Sequence, residues 1–350
     1  VGQKKSPLAM NITGMIVSIP VFCDSAFIIL SSLNKALSKK TGISLVVFAV
    51  ALSTGLYVSH VFIPPTPGPL AAAAALEADL GLVILLGSIL AIPTALVGYF
   101  WALRCNTPLP TTEDITSDII AEPTEELPSL LAVVAPILIP ILLIALQSIA
   151  SYPTTPFGTG IHVDVLAFIG HPIPALFIGI LFAVTLVYKT TNGQEHLGWI
   201  STSLQDAGVI ILITGAGGAL GNILRAAELG SLIETHFSEI QLGLFLPFIL
   251  AAILKTAQGS STVAIITTAT IIAPLTPSLG LDTEIAKALA VLAIGAGSMT
   301  VSHINDSYFW VVSQFSGMTT KTTLNSHTLA TFFQGIVAIT LLYILQLAFK

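Results

Sequence analysis

The sequence predicts an all-α polytopic membrane protein with two inverted repeats, each built from a re-entrant hairpin and a broken transmembrane helix. Three observations lead there. Of 350 residues, 54% are hydrophobic and only 9% are charged, whereas a soluble domain carries roughly 25% charged residues. Apolar runs recur along the whole chain, and about 20 such residues suffice to cross a hydrocarbon core roughly 30 Å thick. The order hairpin, broken helix, span occurs twice, and the charges flanking the two hairpins are opposite in sign.

Residues 7–34 are too long for one ordinary span and too short for two. Their middle holds Pro20, Cys23 and Asp24 at membrane depth. Lys4 and Lys5 precede the segment and Lys35, Lys39 and Lys40 follow it, which favours the cytoplasmic side for both ends. A segment that enters and leaves on one side is a re-entrant hairpin, and its tip must be buried in protein or line a cavity. Residues 42–76 read as a broken helix. Pro64, Pro65, Pro67 and Pro69 interrupt it, because proline lacks an N–H and clashes with the preceding turn. Residues 80–103 are a plain span closed by Arg104, and 1–104 form the first repeat.

Residues 105–127 carry Glu113, Asp114, Asp118, Glu122, Glu125 and Glu126 and read as an acidic linker. Residues 128–205 supply connecting or scaffold helices. The second repeat covers 206–350. It opens with a span at 206–224 holding a Gly215–Asn222 patch of small residues, which permit close helix contact. Arg225 and Glu228 lie about one turn apart and read as a local pair. A hairpin at 240–278 follows, flanked by Glu234, Glu239, Asp282 and Glu284. A broken helix at 285–316 is interrupted at His303-Ile304-Asn305-Asp306, and the last span is 326–349. Val58-Ser59-His60 and Val301-Ser302-His303 match in letters, each at its break. The chain begins with Val1 and enters an apolar segment within ten residues, and the 206–224 span has no earlier counterpart. Both suggest a missing N-terminal part.

Ionisable groups at membrane depth are costly and mark function. Asp24, His60, Lys255, His303 and Asp306 are such groups, each in a hairpin tip or a helix break. Tips Asp24-Ser25 and Gln258-Gly259-Ser260-Ser261-Thr262 precede half-helices whose free N–H groups attract an anion, and their hydroxyls suit a polyhydroxy substrate. The bland alternative is helix capping. Pro65-Thr66-Pro67-Gly68 and Asn305 would complete the site. Asp24, His60, His303 and Asp306 are the candidate proton carriers, because histidine titrates near neutrality and burial favours a neutral carboxyl. Lys255 would face a substrate carboxylate or a buried acid.

Other classes lack their signatures. No basic stripe suggests nucleic acid, no GxxxxGK[ST] loop suggests ATP, and no HExxH or histidine cluster suggests a metal. Cys23 and Cys105 are the whole cysteine supply, so no disulfide framework is indicated. An intramembrane hydrolase built on Ser25 and His60 is the runner-up, without a GxSxG elbow to support it. A facilitator or pore for small organic anions is the third reading. No cofactor is called for.

Val21–Phe27, Ser59-His60-Val61-Phe62-Ile63-Pro64-Pro65-Thr66-Pro67-Gly68-Pro69, Gly218–Gly221, Gln258–Ala264 and Ser302–Trp310 together resemble the gluconate:proton symporter family. The Pro-rich and SHxNDSxFW stretches are the specific ones. The resemblance implies a permease of the bacterial inner membrane that imports gluconate or a related sugar acid or hydroxy acid with protons. Paired hairpins with elevator-like motion are implied too, as are relatives that carry D-serine and a longer N-terminus. Cys23 stands where the family commonly has an aromatic residue. A homodimer is a further expectation; the partners foreseen otherwise are the substrate anion, protons and the bilayer.

Overall fold

The computed structural model describes residues 5–19, 21–105, 129–150, 157–158, 160–190, 201, 204–205, 208 and 243–348. All regular structure among them is helical. They fall into two compact units, one of 1–109 with 210–350 and one of 110–209. The acidic stretch from Glu113 to Glu126, the glycine patch, Arg225 and Glu228 lie outside the described residues.

In the first unit, α1 (Ser6–Val17) starts with Pro7 in its first turn, where a missing N–H costs nothing. Next comes α2 (Cys23–Thr41), ended by Gly42 at φ 73°, whose N–H reaches the Ser38 carbonyl at 2.9 Å. Only glycine takes this left-handed cap without strain. Helix α3 (Leu45–Phe62) is capped by Ser44 and stops at the proline run, which contains a cis Pro64–Pro65 bond. Pro67 then opens the half-helix α4 (Pro67–Ala75). Asp79 caps α5 (Leu80–Ala102), its Oδ1 accepting from Leu82 N–H at 2.7 Å.

After the undescribed stretch come α9 (Phe245–Gln258), α10 (Ser261–Ile272), α11 (Glu284–Met299) and α12 (Ser307–Phe315). The last span runs from Thr320 to Ala348. It consists of α13 (Thr320–Thr323), a π-turn (Leu324–Thr328) and α14 (Leu329–Ala348). The second unit holds α6 (Leu130–Ala150), α7 (Ile161–Ile169) and α8 (Pro172–Thr190). Its α6 packs along α8, and the Ile161–Ile169 and Ile173–Leu186 helices meet at a 65° bend.

Three spans among the described residues are long and apolar enough to cross a membrane: Leu45–Ala75, Leu80–Ala102 and Thr320–Ala348. Their outer faces fit lipid as solvent. Leu85, Ile89, Ile92 and Phe100 form an exposed stripe on α5, and Phe332, Ile336, Tyr343, Ile344 and Leu347 form another on α14. A water-soluble monomer rarely exposes such continuous apolar area. Inside these faces stands α3, buried at every position from Val46 to Phe62.

Close approaches fix the directions of the helices. Asn11 donates to the Ala51 carbonyl at 2.8 Å and Ser59 donates to the Met15 carbonyl at 2.6 Å, so α1 runs parallel to α3. Gly98 lies on Thr54 and Gly87 on the Phe62 backbone, so α5 runs back. Gly295 lies on the Val61 backbone and the Tyr57 hydroxyl donates to the Ser298 carbonyl at 3.3 Å, so α11 opposes α3. The Trp101 indole N–H donates to the Ser326 carbonyl at 3.0 Å and the Gln334 amide donates to the Thr94 carbonyl at 3.0 Å, so the last span runs antiparallel to α5.

Charge follows these directions. Lys5, Lys39, Lys40, Arg104 and Lys321 gather at the end where α1 and α3 begin and α5 ends. Glu77, Asp79, Asp282 and Glu284 gather at the opposite end with Lys287, whose Nζ lies 3.5 Å from the Glu77 carbonyl. The ends of α1 and α2 farthest from their joint lie at the basic end, while α10 leads through 276–283 to the acidic end.

Candidate functional site

Four interruptions of regular structure converge near the middle of the spans. They are the α1–α2 joint at 18–22, the break at 63–66, the α9–α10 joint at 259–260 and the break at 300–306. The Phe22 and His60 rings lie 5.7 Å apart, so the first joint meets the end of α3. His60 Nε2 lies 3.4 Å from Thr262 Oγ1, and Gly68 packs on Ile265, so α10 meets the first break. Ser307 Oγ donates to Asp24 Oδ1 at 3.5 Å and Phe27 meets Tyr308 edge-on at 6.2 Å, so α2 meets the second break. Each joint thus lies against both broken helices.

The α9–α10 joint is seated by Gly259. It has φ 77°, and the Asn305 backbone occupies the space a Cβ would need. Asn305 Nδ2 donates to the Thr256 carbonyl at 2.5 Å. Beside it lies a buried ion pair: Lys255 Nζ meets Asp306 Oδ2 at 2.5 Å, with side-chain exposures of 0% and 4%. A pair so deep is tolerated only when its remaining valences are met. Asp306 accepts the Ser302 hydroxyl at 2.5 Å and, through Oδ1, the Tyr308 N–H at 3.2 Å. The same carboxylate therefore caps α12 and binds a cation from another segment. The break carries backbone strain as well: Val301 sits at φ 59°, where a β-branched residue is an outlier.

The sequence-derived candidates divide accordingly. Asp24, His60, Gly68, Gly259, Thr262, Asn305 and Asp306 are brought to the junction. Ser260 caps α10, its Oγ accepting from Val263 N–H at 3.4 Å, and Ser261 is buried in the first turn. Thr66 is buried and donates to the Ile63 carbonyl at 2.8 Å, holding the Pro65–Pro67 corner. Ser25 and Gln258 are exposed and make none of these contacts. His303 is half-buried and contributes its carbonyl to the Asp306 N–H at 2.8 Å. Despite the matched letters it does not share the setting of His60. His60 is 3% exposed and its Nδ1 has no hydrogen-bond partner, an arrangement that leaves a polar atom free at the junction. The Ser25–His60 dyad of a hydrolase is not formed, because the hydroxyl at His60 belongs to Thr262.

One residue escaped the sequence reading. His327 lies in the π-turn with 0% exposure. Its Nδ1 is 3.0 Å from Ser53 Oγ and its Nε2 is 3.2 Å from Ser302 Oγ. A cavity of about 360 Å³ at the basic end is lined by Trp101, Arg104, Lys321, Thr322, Asn325 and Ser326, the chain neighbour of His327, among others.

Comparison with known proteins places this arrangement. The profile of the GntP family permeases matches residues 1–348. A gluconate permease of Pseudomonas aeruginosa is 33% identical over 353 residues, covering 99% of this chain and 77% of that protein. The D-serine transporter DsdX of Escherichia coli is 32% identical over 340 residues, covering 94% and 74%. The inner membrane permease YgbN of Escherichia coli is 32% identical over 354 residues, covering 95% and 76%. With a family match over nearly its whole length, apolar spans and exposed apolar stripes, the chain belongs to the GntP permease family, as a multi-pass inner-membrane carrier and not an enzyme.

Proposed function

We propose that the chain is a secondary active transporter that imports gluconate or a related small hydroxy acid together with protons. The observation that carries this reading is the junction itself: two helix joints and two helix breaks meet around a buried ion pair and an unpartnered histidine nitrogen. Broken helices at the bilayer midplane are where secondary transporters hold substrate and coupling ion. The substrate carboxylate sits at the N-termini of α10 and α2, where free N–H groups favour an anion. Its hydroxyls meet His60, Thr262 and the serines of the α9–α10 joint. The gluconate and D-serine carriers among the relatives share a small hydroxylated carboxylate as cargo, and that common chemistry defines the class.

Asp306 is the proton carrier in this reading. Deprotonated, it holds Lys255 and thereby fastens α9 to the second break; protonated, it releases that hold. Asp24, beside Ser307, is the second candidate carboxylate. The parallel course of α1 and α3, with both outer ends of the α1–α2 pair at the basic end, supports a re-entrant hairpin. The α9–α10 pair fits the inverted counterpart entering from the acidic end. Lysine and arginine mark the cytoplasmic side, so the basic end faces the cytoplasm. Elevator-like movement of joints and broken helices against α5 and α14 provides alternating access. Uptake of labelled gluconate into proteoliposomes tests the reading: accumulation above equilibrium under an inward proton gradient, abolished by an uncoupler, is expected. Equilibration indifferent to the gradient would make the protein a facilitator, and no uptake by folded protein would exclude gluconate.

A further inference from the structure

The geometry points to His327 as the inner proton station, through which a proton leaves Asp306 for the basic side. This rests on the proton-coupled reading above and adds a residue and a route to it. Three features of the structure carry it.

First, Ser302 is fixed in place by the π-turn and the start of α14. Its carbonyl accepts from Thr328 Oγ1 at 2.5 Å, its N–H donates to Thr331 Oγ1 at 3.0 Å, and its hydroxyl lies between His327 Nε2 and Asp306 Oδ2. Insertions of this kind recur at functional sites. Here the wider turn carries His327, Thr328 and Thr331 onto one residue of the break. Second, the hydrogen-bond balance accommodates either protonation state of the ring. Ser53 Oγ lies 3.1 Å from the Val50 carbonyl and Ser302 Oγ 2.5 Å from Asp306. When both hydroxyls donate away, both ring nitrogens face acceptors, as an imidazolium requires. When one hydroxyl turns to donate to the ring, the neutral form is satisfied. Third, the basic-side cavity reaches Ser326, the neighbour of His327, whose carbonyl is held by the Trp101 indole N–H at 3.0 Å.

The step balances. Asp306 gives its proton to Ser302 Oγ as the Ser302 proton passes to Nε2 of a ring protonated at Nδ1. One O–H bond breaks at Asp306, one N–H bond forms at His327, and the serine ends as it began. The regenerated carboxylate re-pairs with Lys255, and the imidazolium returns to the neutral ring by giving up its Nδ1 proton by way of Ser53 Oγ, the group that faces it. The groups around the ring are Ser53 of α3, Ser302 and Asp306 of the break, Tyr308 of α12 edge-on at 5.4 Å, and Lys255 of α9 beyond Asp306. The carboxylate is thus the only acid facing it among the described residues.

The test uses the full chain in proteoliposomes with a trapped pH-indicator dye and labelled gluconate, comparing wild type with His327→Gln and Ser302→Ala. Two quantities are read: counterflow exchange, which needs no net proton movement, and uphill uptake with its accompanying proton flux. The expected result is counterflow within a few-fold of wild type, uphill uptake reduced at least tenfold, and a flattened pH profile. Wild-type proton flux and pH profile in H327Q would overturn the role of His327 while leaving proton symport intact. Loss of counterflow along with uptake would assign His327 a structural role and equally overturn it. A wild-type chain that carries gluconate with no proton flux would overturn both readings.

Discussion

Removing one member of the Lys255–Asp306 pair is the sharpest perturbation of this fold. Lys255 is 0% exposed and its ammonium is held by the Asp306 carboxylate. In Asp306→Asn the amide keeps the cap on α12 and a partner for Ser302, so the lost term is the charge. Breaking a buried pair from one side costs about 3–5 kcal/mol, because the surviving ion is left uncompensated. At about 2 °C per kcal/mol for a large domain, the melting temperature falls on the order of 6–10 °C. Lys255→Met strands the carboxylate and falls by a similar amount. The double variant Lys255→Met/Asp306→Asn has no ion to strand and should recover most of the loss, so the coupling exceeds either single loss of about 3–5 kcal/mol and stands well above the ~0.5 kcal/mol noise of independent sites. Melting of detergent-solubilised protein, followed by tryptophan fluorescence or size-exclusion at one scan rate, reads all four forms. Single variants within about 2 °C of wild type, or a double variant that simply sums the singles, would refute the buried pair.

Other consequences follow from the same geometry. Gly259→Ala places a methyl group on the Asn305 backbone in a left-handed conformation; the conformational term alone is roughly 1–2 kcal/mol, so reduced stability and lost uptake are expected, and an unaltered melt with normal uptake would contradict the seating of the joint. Thr262→Val removes the hydroxyl next to His60. If both hold the substrate, the KM for uptake should rise about 5–10-fold, the worth of one hydrogen bond of ~1–1.5 kcal/mol, with the melt unchanged; an unchanged KM would take Thr262 out of the site. Single cysteines at Lys40 and Lys321 should react with an impermeant maleimide only from the cytoplasmic face, and one at Asp282 only from outside; the reverse pattern would invert the orientation.

Much of the junction was legible because helix breaks have local chemistry. The Pro64–Pro69 run and Gly259 act on the residues beside them, and Asp306 and Ser260 carry side chains suited to capping, so a reader of the chain meets the breaks where the structure has them. What joins them is nonlocal. The Ser53–His327 contact spans 274 residues, and nothing near His327 announces it. The last span reads as beginning at 326, which makes His327 look like an interfacial end residue and hides the π-turn. Lys255 reads from the sequence as costly at depth, facing a substrate carboxylate or a buried acid if it does not snorkel; only the fold selects Asp306. Ser25 shows a related limit, since adjacency to Asp24 on a helix says nothing about the direction of its own side chain, which the fold leaves exposed. The His60–His303 letter match likewise predicts equivalent positions but not equivalent burial.

The way the helices exchange partners bears on how the protein is made. Helix α2 leans on α12, which is synthesised almost three hundred residues later, and α10 leans on α4, laid down long before it. Neither joint has its seat until the other part of the chain has entered the membrane. During translation the first joint must therefore wait, with Asp24 unmatched by Ser307, until α12 has been made. Two halves of the chain expressed as separate polypeptides should each be short-lived and should persist only when produced together, and a quality-control protease would meet its best substrate in that interval.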